Sequence, residues 1–276
     1  MTHKKVSVIM GIYNCASTLP AAIDSILAQT YSDWELILCD DGSEDETNQV
    51  AAGYCDRYPE KVHLLRNEKN MGLNHALNRC LAAATGAYIA RMDGDDISLP
   101  ERLALEAAFL DAHPEFAIVS CPMIYFDDNG DWGTGTAKER PTALDFVSGT
   151  PFCHAPCMVR AEAYAAAHGY SSDPRTLRAE DYDLWFRLYE LGYRGYNLQT
   201  PLYKMRDDEN AYHRRKFKYC LNEAYVRTTG FRRLRLPARK YIWVLRPIFV
   251  GLLPKRLYLL LHHKKKHTSL KDATTC

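Results

Sequence analysis

The stretch Ala87-Tyr88-Ile89-Ala90-Arg91-Met92-Asp93-Gly94-Asp95-Asp96 decides the fold. A short apolar run, too brief for a helix, ends abruptly in three carboxylates around one glycine. Upstream, the same pattern repeats. Val6–Met10 is a partly β-branched apolar run. Trp34–Cys39 is another and closes on Asp40-Asp41-Gly42-Ser43, and Val62–Leu65 is a third. Helical spacing fills the intervals. Ser17–Gln29 places Leu19, Ile23, Ile26 and Leu27 on one face, with Pro20 in the first turn and Ser17 or Thr18 as cap. A polar helix is predicted from about Glu44 to Tyr58, and another over Asn74–Ala84 after Gly72. Strands alternating with helices predict an α/β fold, a mostly parallel sheet with helices on both faces. Such sheets bind ligands outside the carboxyl ends of their strands. Three segments put polar groups there: Tyr13-Asn14, Asp40-Asp41 and Asp93–Asp96. They predict one acidic pocket.

The second half is less regular. Pro100 opens a helix for which Ser98 suits the cap. Phe116–Phe126 is read as one strand and Asp127-Asp128-Asn129-Gly130 as a turn. Phe152–Val159 is an apolar run, and Ala161–His168 is helical. Glu180–Leu191 is a helix with Leu184, Trp185, Leu188 and Leu191 on one face. Tyr193–Tyr203 returns to the sheet.

Carboxylates at 93, 95 and 96 repel one another unless something positive sits among them. A divalent cation with oxygen ligands is the natural partner, one that keeps several waters and also binds phosphates. Helix capping is the plainer reading, but Ser98 already suits that task. Asp40 and Asp41 can accept hydrogen bonds from a base or ribose, although Asp-Gly-Ser is also common turn chemistry. Glu180-Asp181 opens a helix, where the dipole favours acids. The same carboxylates suit a general base that takes a proton from a sugar hydroxyl.

In order, Ile12-Tyr13-Asn14, Asp40-Asp41-Gly42-Ser43, Asn70-Met71-Gly72, Asp93-Gly94-Asp95-Asp96 and Glu180-Asp181-Tyr182-Asp183-Leu184-Trp185 resemble the family 2 glycosyltransferases. The match covers roughly the first 205 residues at that family's spacing. The resemblance implies a GT-A fold, a nucleotide-diphosphate-sugar donor, by default UDP-linked, a divalent metal (Mn2+ or Mg2+), and inversion at the anomeric carbon. It implies that Ile12, Tyr13 and Asn14 line the base and that Asp40 and Asp41 read base and ribose. Asn78 and Arg79 match loosely a further nucleotide contact. Asp93 and Asp95 match the two acids of the D-x-D motif, with Asp95 the main metal ligand. Asp181 matches the catalytic base, with Glu180 beside it as acceptor contact or support. His154 falls in a region that borders the acceptor in relatives, and Trp185 packs or lines that site. Processive members carry Gln-x-x-Arg-Trp after the base and multiple membrane spans. Neither is present here, so single-sugar addition to a glycan or lipid-linked saccharide is expected, as in lipopolysaccharide, capsule or exopolysaccharide assembly.

A sugar nucleotidyltransferase is the rival enzyme reading. It calls for a Gly-rich basic loop after the first strand, which Gly11-Ile12-Tyr13-Asn14 does not offer. A non-catalytic membrane adaptor has no use for the acids at 95 and 181.

Charge is strongly segregated. Tyr212–Cys276 holds 17 Lys+Arg and 2 Asp+Glu, a balance of +15; the rest holds 18 and 32, a balance of −14. Residues 1–210 are therefore read as the catalytic domain, 1–100 holding the nucleotide sugar and 101–210 the acceptor. Residues 211–276 are read as a basic amphipathic helical tail. Tyr241–Leu261 is its most apolar segment, but Arg246, Pro247, Pro254, Lys255 and Arg256 interrupt it. No run approaches the ~18 apolar residues of a spanning helix. Aromatic and aliphatic residues among cations suit an anionic membrane surface. No nucleic-acid motif accompanies the charge. The nine cysteines are scattered and odd in number, which suits reduced thiols in an intracellular protein. Cys153 and Cys157 flank His154 but lack a second ligand pair at zinc spacing. Val6–Met10 mimics a signal peptide but lacks a convincing cleavage site. The expected place is the cytoplasm, on the inner face of the cell membrane.

Overall fold

The computed structural model describes residues 4–207 and 216–252. The chain opens with β1 (Val6–Ile12), α1 (Leu19–Leu27), β2 (Trp34–Asp40), α2 (Thr47–Arg57), β3 (Val62–Arg66), α3 (Leu73–Ala83) and β4 (Tyr88–Arg91). It continues through β5 (Ile97–Ser98), α4 (Arg102–Ala112), β6 (Ile118–Ser120), β7 (Met123–Asp127), β8 (Gly130–Thr134), β9 (Met158–Arg160) and α5 (Ala161–Ala166). It ends with α6 (Glu180–Glu190), β10 (Gly195–Asn197), β11 (Tyr203–Arg206), α7 (Phe217–Arg233), a 3-10 stretch (Ala238–Leu245) and α8 (Arg246–Leu252).

The main sheet has the order β10-β6-β9-β4-β1-β2-β3. From β4 to β3 every pairing is parallel, and β9 enters antiparallel to both β4 and β6. This is the α/β architecture predicted. All seven residues of β2 are buried, as are six of the seven in β1, because apolar cores form on both faces. A smaller sheet, β5-β11-β7-β8, stands beside the acidic loop.

Several local expectations need correction. Phe116–Phe126 is not one strand. Pro122 lacks a ladder N–H, and the chain switches there from β6 in the main sheet to β7 in the small one. Of the apolar run Phe152–Val159 only the end is strand. Ser98 does not cap α4, which begins four residues later. It lies in β5, where its N–H donates to Ser25 Oγ (3.0 Å) and its hydroxyl accepts from Gln29 Nε2 (3.1 Å). The Thr18 hydroxyl does not cap α1 but donates to the carbonyls of Cys15 (3.2 Å) and Gly94 (2.9 Å).

The boundary expected at 210/211 does not set α7 apart. Phe231 and Val226 are fully buried within the core cluster that also holds Trp185 and Phe186. Arg227 is buried and donates from Nη1 to the carbonyl of Val147 (2.9 Å). Amphipathicity was legible there, but its apolar face meets protein. Lys264–Lys266 and the rest of 253–276 lie outside the described residues. No helix among the described residues is long and apolar enough to cross a membrane.

Candidate active site

The loop at the carboxyl edge of β4 builds the acidic part of the site; Tyr13-Asn14 and Asp40-Asp41, expected to share its pocket, are not among the residues that line the cleft over it. Beyond β4, Gly94 sits so close to β1 and α1 that a Cβ would lie 3.0 Å from Cys15 Sγ and 3.2 Å from Ile12. A glycine between the acids lets the loop turn against this wall. The Asp93 N–H donates to the Tyr203 hydroxyl (3.1 Å), and Asp96 Oδ1 accepts the Arg206 N–H (2.8 Å). The small sheet thus fixes the acidic loop.

Asp93, Asp95 and Asp96 bring carboxylate oxygens within 4.8 Å of one another. Asp96 is buried, its Oδ2 has no hydrogen-bond partner, and burial followed by the charges of Asp93 and Asp95 pushes its pKa well up. An orphaned buried oxygen beside two more carboxylates is what a divalent cation of oxygen-ligand type satisfies. Asp93 and Asp95 were expected in this role; Asp96 joins them as a third candidate ligand.

A cleft of about 730 Å³ opens over this cluster. Across it stand Glu180 and Asp181, in the first turn of α6. Burial, then the neighbouring Glu180 charge, raises the Asp181 pKa to about 7. Glu180 Oε2 is buried without a partner. A second cavity of about 360 Å³, lined in part by Thr136, Lys138, Ser148 and Thr150, reaches Asp181 and His154 from the other side. Asp181 therefore stands between two chambers.

His154 lines both. Its Nε2 meets the Tyr170 hydroxyl at 2.8 Å, and burial followed by the Arg91 charge lowers its pKa well below the usual value. It is a neutral hydrogen-bonding group. Trp185 does not line the acceptor side. It is fully buried, edge-on to Phe152 and His154. The helical face that carries it faces the core.

The residues expected to hold the nucleotide divide between exposure and internal bonds. Ile12 is buried at the end of β1, and Tyr13 beside it is 42% exposed, free to stack. Asn14 adopts φ 48° and accepts the Glu44 N–H (2.9 Å). Asp40 is fully buried and accepts from the Ser43 N–H and Asn48 Nδ2, both at 3.0 Å. Asp41 accepts from Asn67 Nδ2 (2.7 Å) and from the N–H groups of Met71 (2.9 Å) and Gly72 (2.7 Å). Both acids organise the loops that follow β2 and precede α3.

Asn78 and Arg79, matched loosely to a nucleotide contact, are both engaged within the protein. Asn78 clamps the Tyr170 backbone, and Arg79 Nη1 donates to the Arg66 carbonyl and to Asn67 Oδ1, both at 2.6 Å. Three residues escaped sequence reasoning. Arg91 grips Asp93 from beneath. Arg102 is fully buried and supports it, Nη2 donating to the Arg91 carbonyl (2.9 Å). Arg178 lines the cleft in a left-handed conformation (φ 68°). An arginine inside an apolar β run was the available signal for the first.

A parallel sheet that presents a carboxylate cluster at its carboxyl edge, opposite an acid poised near neutrality, defines a glycosyltransferase of the GT-A class. Comparison with known proteins agrees. The model of glycosyl transferase family 2 matches residues 7–166, and that of glycosyl transferase family group 2 matches 88–264. The chain is 46% identical over 268 residues to the putative glycosyltransferase EpsE of Bacillus subtilis, covering 97% of this chain and 96% of that one. It is 31% identical over 233 residues to the amylovoran biosynthesis glycosyltransferase AmsE of Erwinia amylovora, covering 80% and 83%. Among solved structures it resembles the mannosyltransferase PcManGT of Pyrobaculum calidifontis in complex with GDP-Man and Mn2+. That match has a TM-score of 0.68 at 20% identity and covers 96% of this chain and 80% of that one. The chain belongs to glycosyl transferase family 2 and is a glycosyltransferase.

Proposed function

We propose that this enzyme moves one sugar from a nucleotide-diphosphate sugar, UDP-linked by the family default, to a hydroxyl of a glycan or lipid-linked saccharide, with inversion. The observation that carries the reading is Asp181, a carboxylate with a pKa near 7, facing the acidic cluster across one cleft. A base whose pKa lies close to the working pH combines a useful ionised fraction with proton affinity. Asp181 accepts the proton of the attacking hydroxyl, which approaches through the smaller cavity. Glu180 orients the acceptor, and neutral His154 shapes the passage. Asp93, Asp95 and Asp96 would hold a divalent metal, Mn2+ or Mg2+, which would offset the negative charge of the diphosphate leaving group. Tyr13 packs against the base, and Asp40 and Asp41 keep its loops in place.

The product is a polysaccharide or lipid-linked glycan of the cell surface. The similarity to AmsE, named for amylovoran biosynthesis, supports it. The enzyme works at the cytoplasmic face of the membrane, held there by its basic C-terminal region. The segregated charge supports this placement.

The test separates base from metal ligands. A screen of nucleotide sugars with and without Mn2+ identifies the donor by hydrolysis or thermal shift. Asp181→Asn is expected to abolish transfer and leave binding of UDP with Mn2+ intact, while Asp95→Ala weakens both. Normal transfer by Asp181→Asn overturns the base assignment.

A further inference from the structure

Residues 238–252 form a strap with two unlike faces. On its outer side Ile242, Phe249 and Leu252 are 70%, 65% and 66% exposed, and Trp243 and Leu245 are each 46% exposed. Five large apolar side chains within eleven residues, on a segment already packed against protein, need a reason to stay uncovered. Arg239 and Lys240 precede them. On its inner side Arg246, Pro247 and Val250 are part of the wall of the catalytic cleft, beside Tyr219, Cys220 and Glu223 of α7. The strap is seated firmly. A Cβ at Gly251 would come within 2.7 Å of Cys220 Sγ and 3.1 Å of the Phe217 ring. Arg246 Nη1 donates to the carbonyl of Ser148, and Ser148 lines the second cavity, the one that reaches Asp181.

We propose that this strap is the membrane-contacting surface and that it places the mouth of the catalytic cleft at the bilayer. Apolar residues flanked by arginine and lysine fit the interface of an anionic leaflet, where side chains enter the acyl boundary and cations meet headgroups. The sequence beyond Leu252 continues in the same vein, with Lys255 and Arg256 ahead of Leu257–Leu261. Because Arg246, Pro247 and Val250 of the same strap wall the cleft, docking of the outer face brings that wall to the membrane surface. An acceptor whose lipid stays in the bilayer then reaches Asp181 without leaving it. This inference rests on the glycosyltransferase reading only for its purpose; the surface itself is tested without substrate.

The full chain is mixed with phosphatidylglycerol vesicles and, separately, with phosphatidylcholine vesicles. The most exposed of the four tryptophans sits in the strap, so its emission should shift to the blue on phosphatidylglycerol and be quenched by brominated acyl chains. Trp243→Phe should remove that change. Ile242→Asp combined with Phe249→Asp should lower sedimentation with phosphatidylglycerol vesicles at least tenfold while leaving Tm unchanged. Tyr219→Cys puts a thiol in the partly exposed wall of the cleft, and its alkylation by a charged, membrane-impermeant thiol reagent, read by mass spectrometry, should slow several-fold on the vesicles. Vesicle binding by the double variant equal to wild type overturns the proposal, because residues 253–276 then suffice. Unchanged alkylation of that introduced cysteine on bound vesicles also overturns it, because the cleft then faces away. A concentration-dependent dimer that the double variant abolishes, without vesicle binding, assigns the patch to a second copy instead. Should the double variant fold poorly, Trp243 emission in the native chain decides alone. Failure of any arm leaves the Asp181 test of glycosyl transfer untouched.

Discussion

Arg91 holds Asp93 through both arms of its guanidinium, Nη1 donating to Oδ2 at 2.6 Å and Nη2 to Oδ1. The arginine is buried and the acid is not wholly so, with side-chain exposures of 5% and 31%. A cation from the interior thus fixes one of three crowded carboxylates. Replacing Arg91 by Met leaves Asp93 uncompensated and is expected to cost about 3 kcal/mol of stability in urea unfolding. Adding Asp93→Asn should recover most of that loss, since the two changes address one interaction. Additive losses would show that the pair is not coupled.

The raised pKa of Asp181 links activity and stability with opposite signs. In the free enzyme the base must be ionised, so kcat/KM is expected to fall about tenfold per unit as pH drops below about 7. Folding works the other way. The folded-state pKa lies above the unfolded one, so the folded chain binds the proton more tightly. This group's penalty is absent below the unfolded pKa, grows as pH rises, and is complete above about 7. Asp181→Asn is therefore expected to be inactive yet more stable than wild type at pH 8, on the order of 1–3 kcal/mol, with the advantage vanishing near pH 4. Thermal unfolding across that range checks it, and an advantage independent of pH would contradict it.

How far the sequence spoke depends on what each signal was. β1 to β4 and α6 announced themselves because buried parallel strands are apolar throughout and a packed helix keeps its period. Asp93, Asp95, Glu180 and Asp181 were legible because acids directly at strand ends and helix starts stand out against such runs. Trp185 was left between two readings because an aromatic after a pair of acids points equally well, by sequence, to a core or a substrate. Asp41 and Asn78 were ambiguous for a different reason. A side chain that holds a loop has the same composition as one that holds a ligand, and only the bonded partner distinguishes them. Arg102 pairs with Glu106 one helical turn on, which the i,i+4 spacing shows, but its support of Arg91 runs through a backbone carbonyl and leaves no mark in the sequence.

Asn78 gives that ambiguity a measurable form. Its Nδ2 donates to the Tyr170 carbonyl and its Oδ1 accepts the Tyr170 N–H, both at 2.8 Å. Asn78→Ala strands both backbone groups and is expected to cost about 1–3 kcal/mol. Affinity for UDP with Mn2+, measured by calorimetry, should stay within about twofold. A tenfold loss of affinity at unchanged stability would return Asn78 to the nucleotide site.

Gly230 tests whether α7 belongs to the catalytic body. In an independent, solvent-facing helix, Gly→Ala stabilises by about 1 kcal/mol, because alanine has the better helical propensity. Here a Cβ at Gly230 would fall 2.2 Å from the ring of Phe186, a fully buried residue of α6, so ring and helix must both give way. Overpacking of that kind costs about 1–3 kcal/mol and outweighs the propensity. Gly230→Ala is accordingly expected to destabilise the whole enzyme in a single unfolding transition. Phe186→Leu should make the same change tolerable by removing the obstructing ring. The sign of the Gly230→Ala effect decides the matter. Stabilisation would detach the helix from the catalytic core, and destabilisation relieved by Phe186→Leu would make α7 part of the floor on which Asp181 and its helix rest.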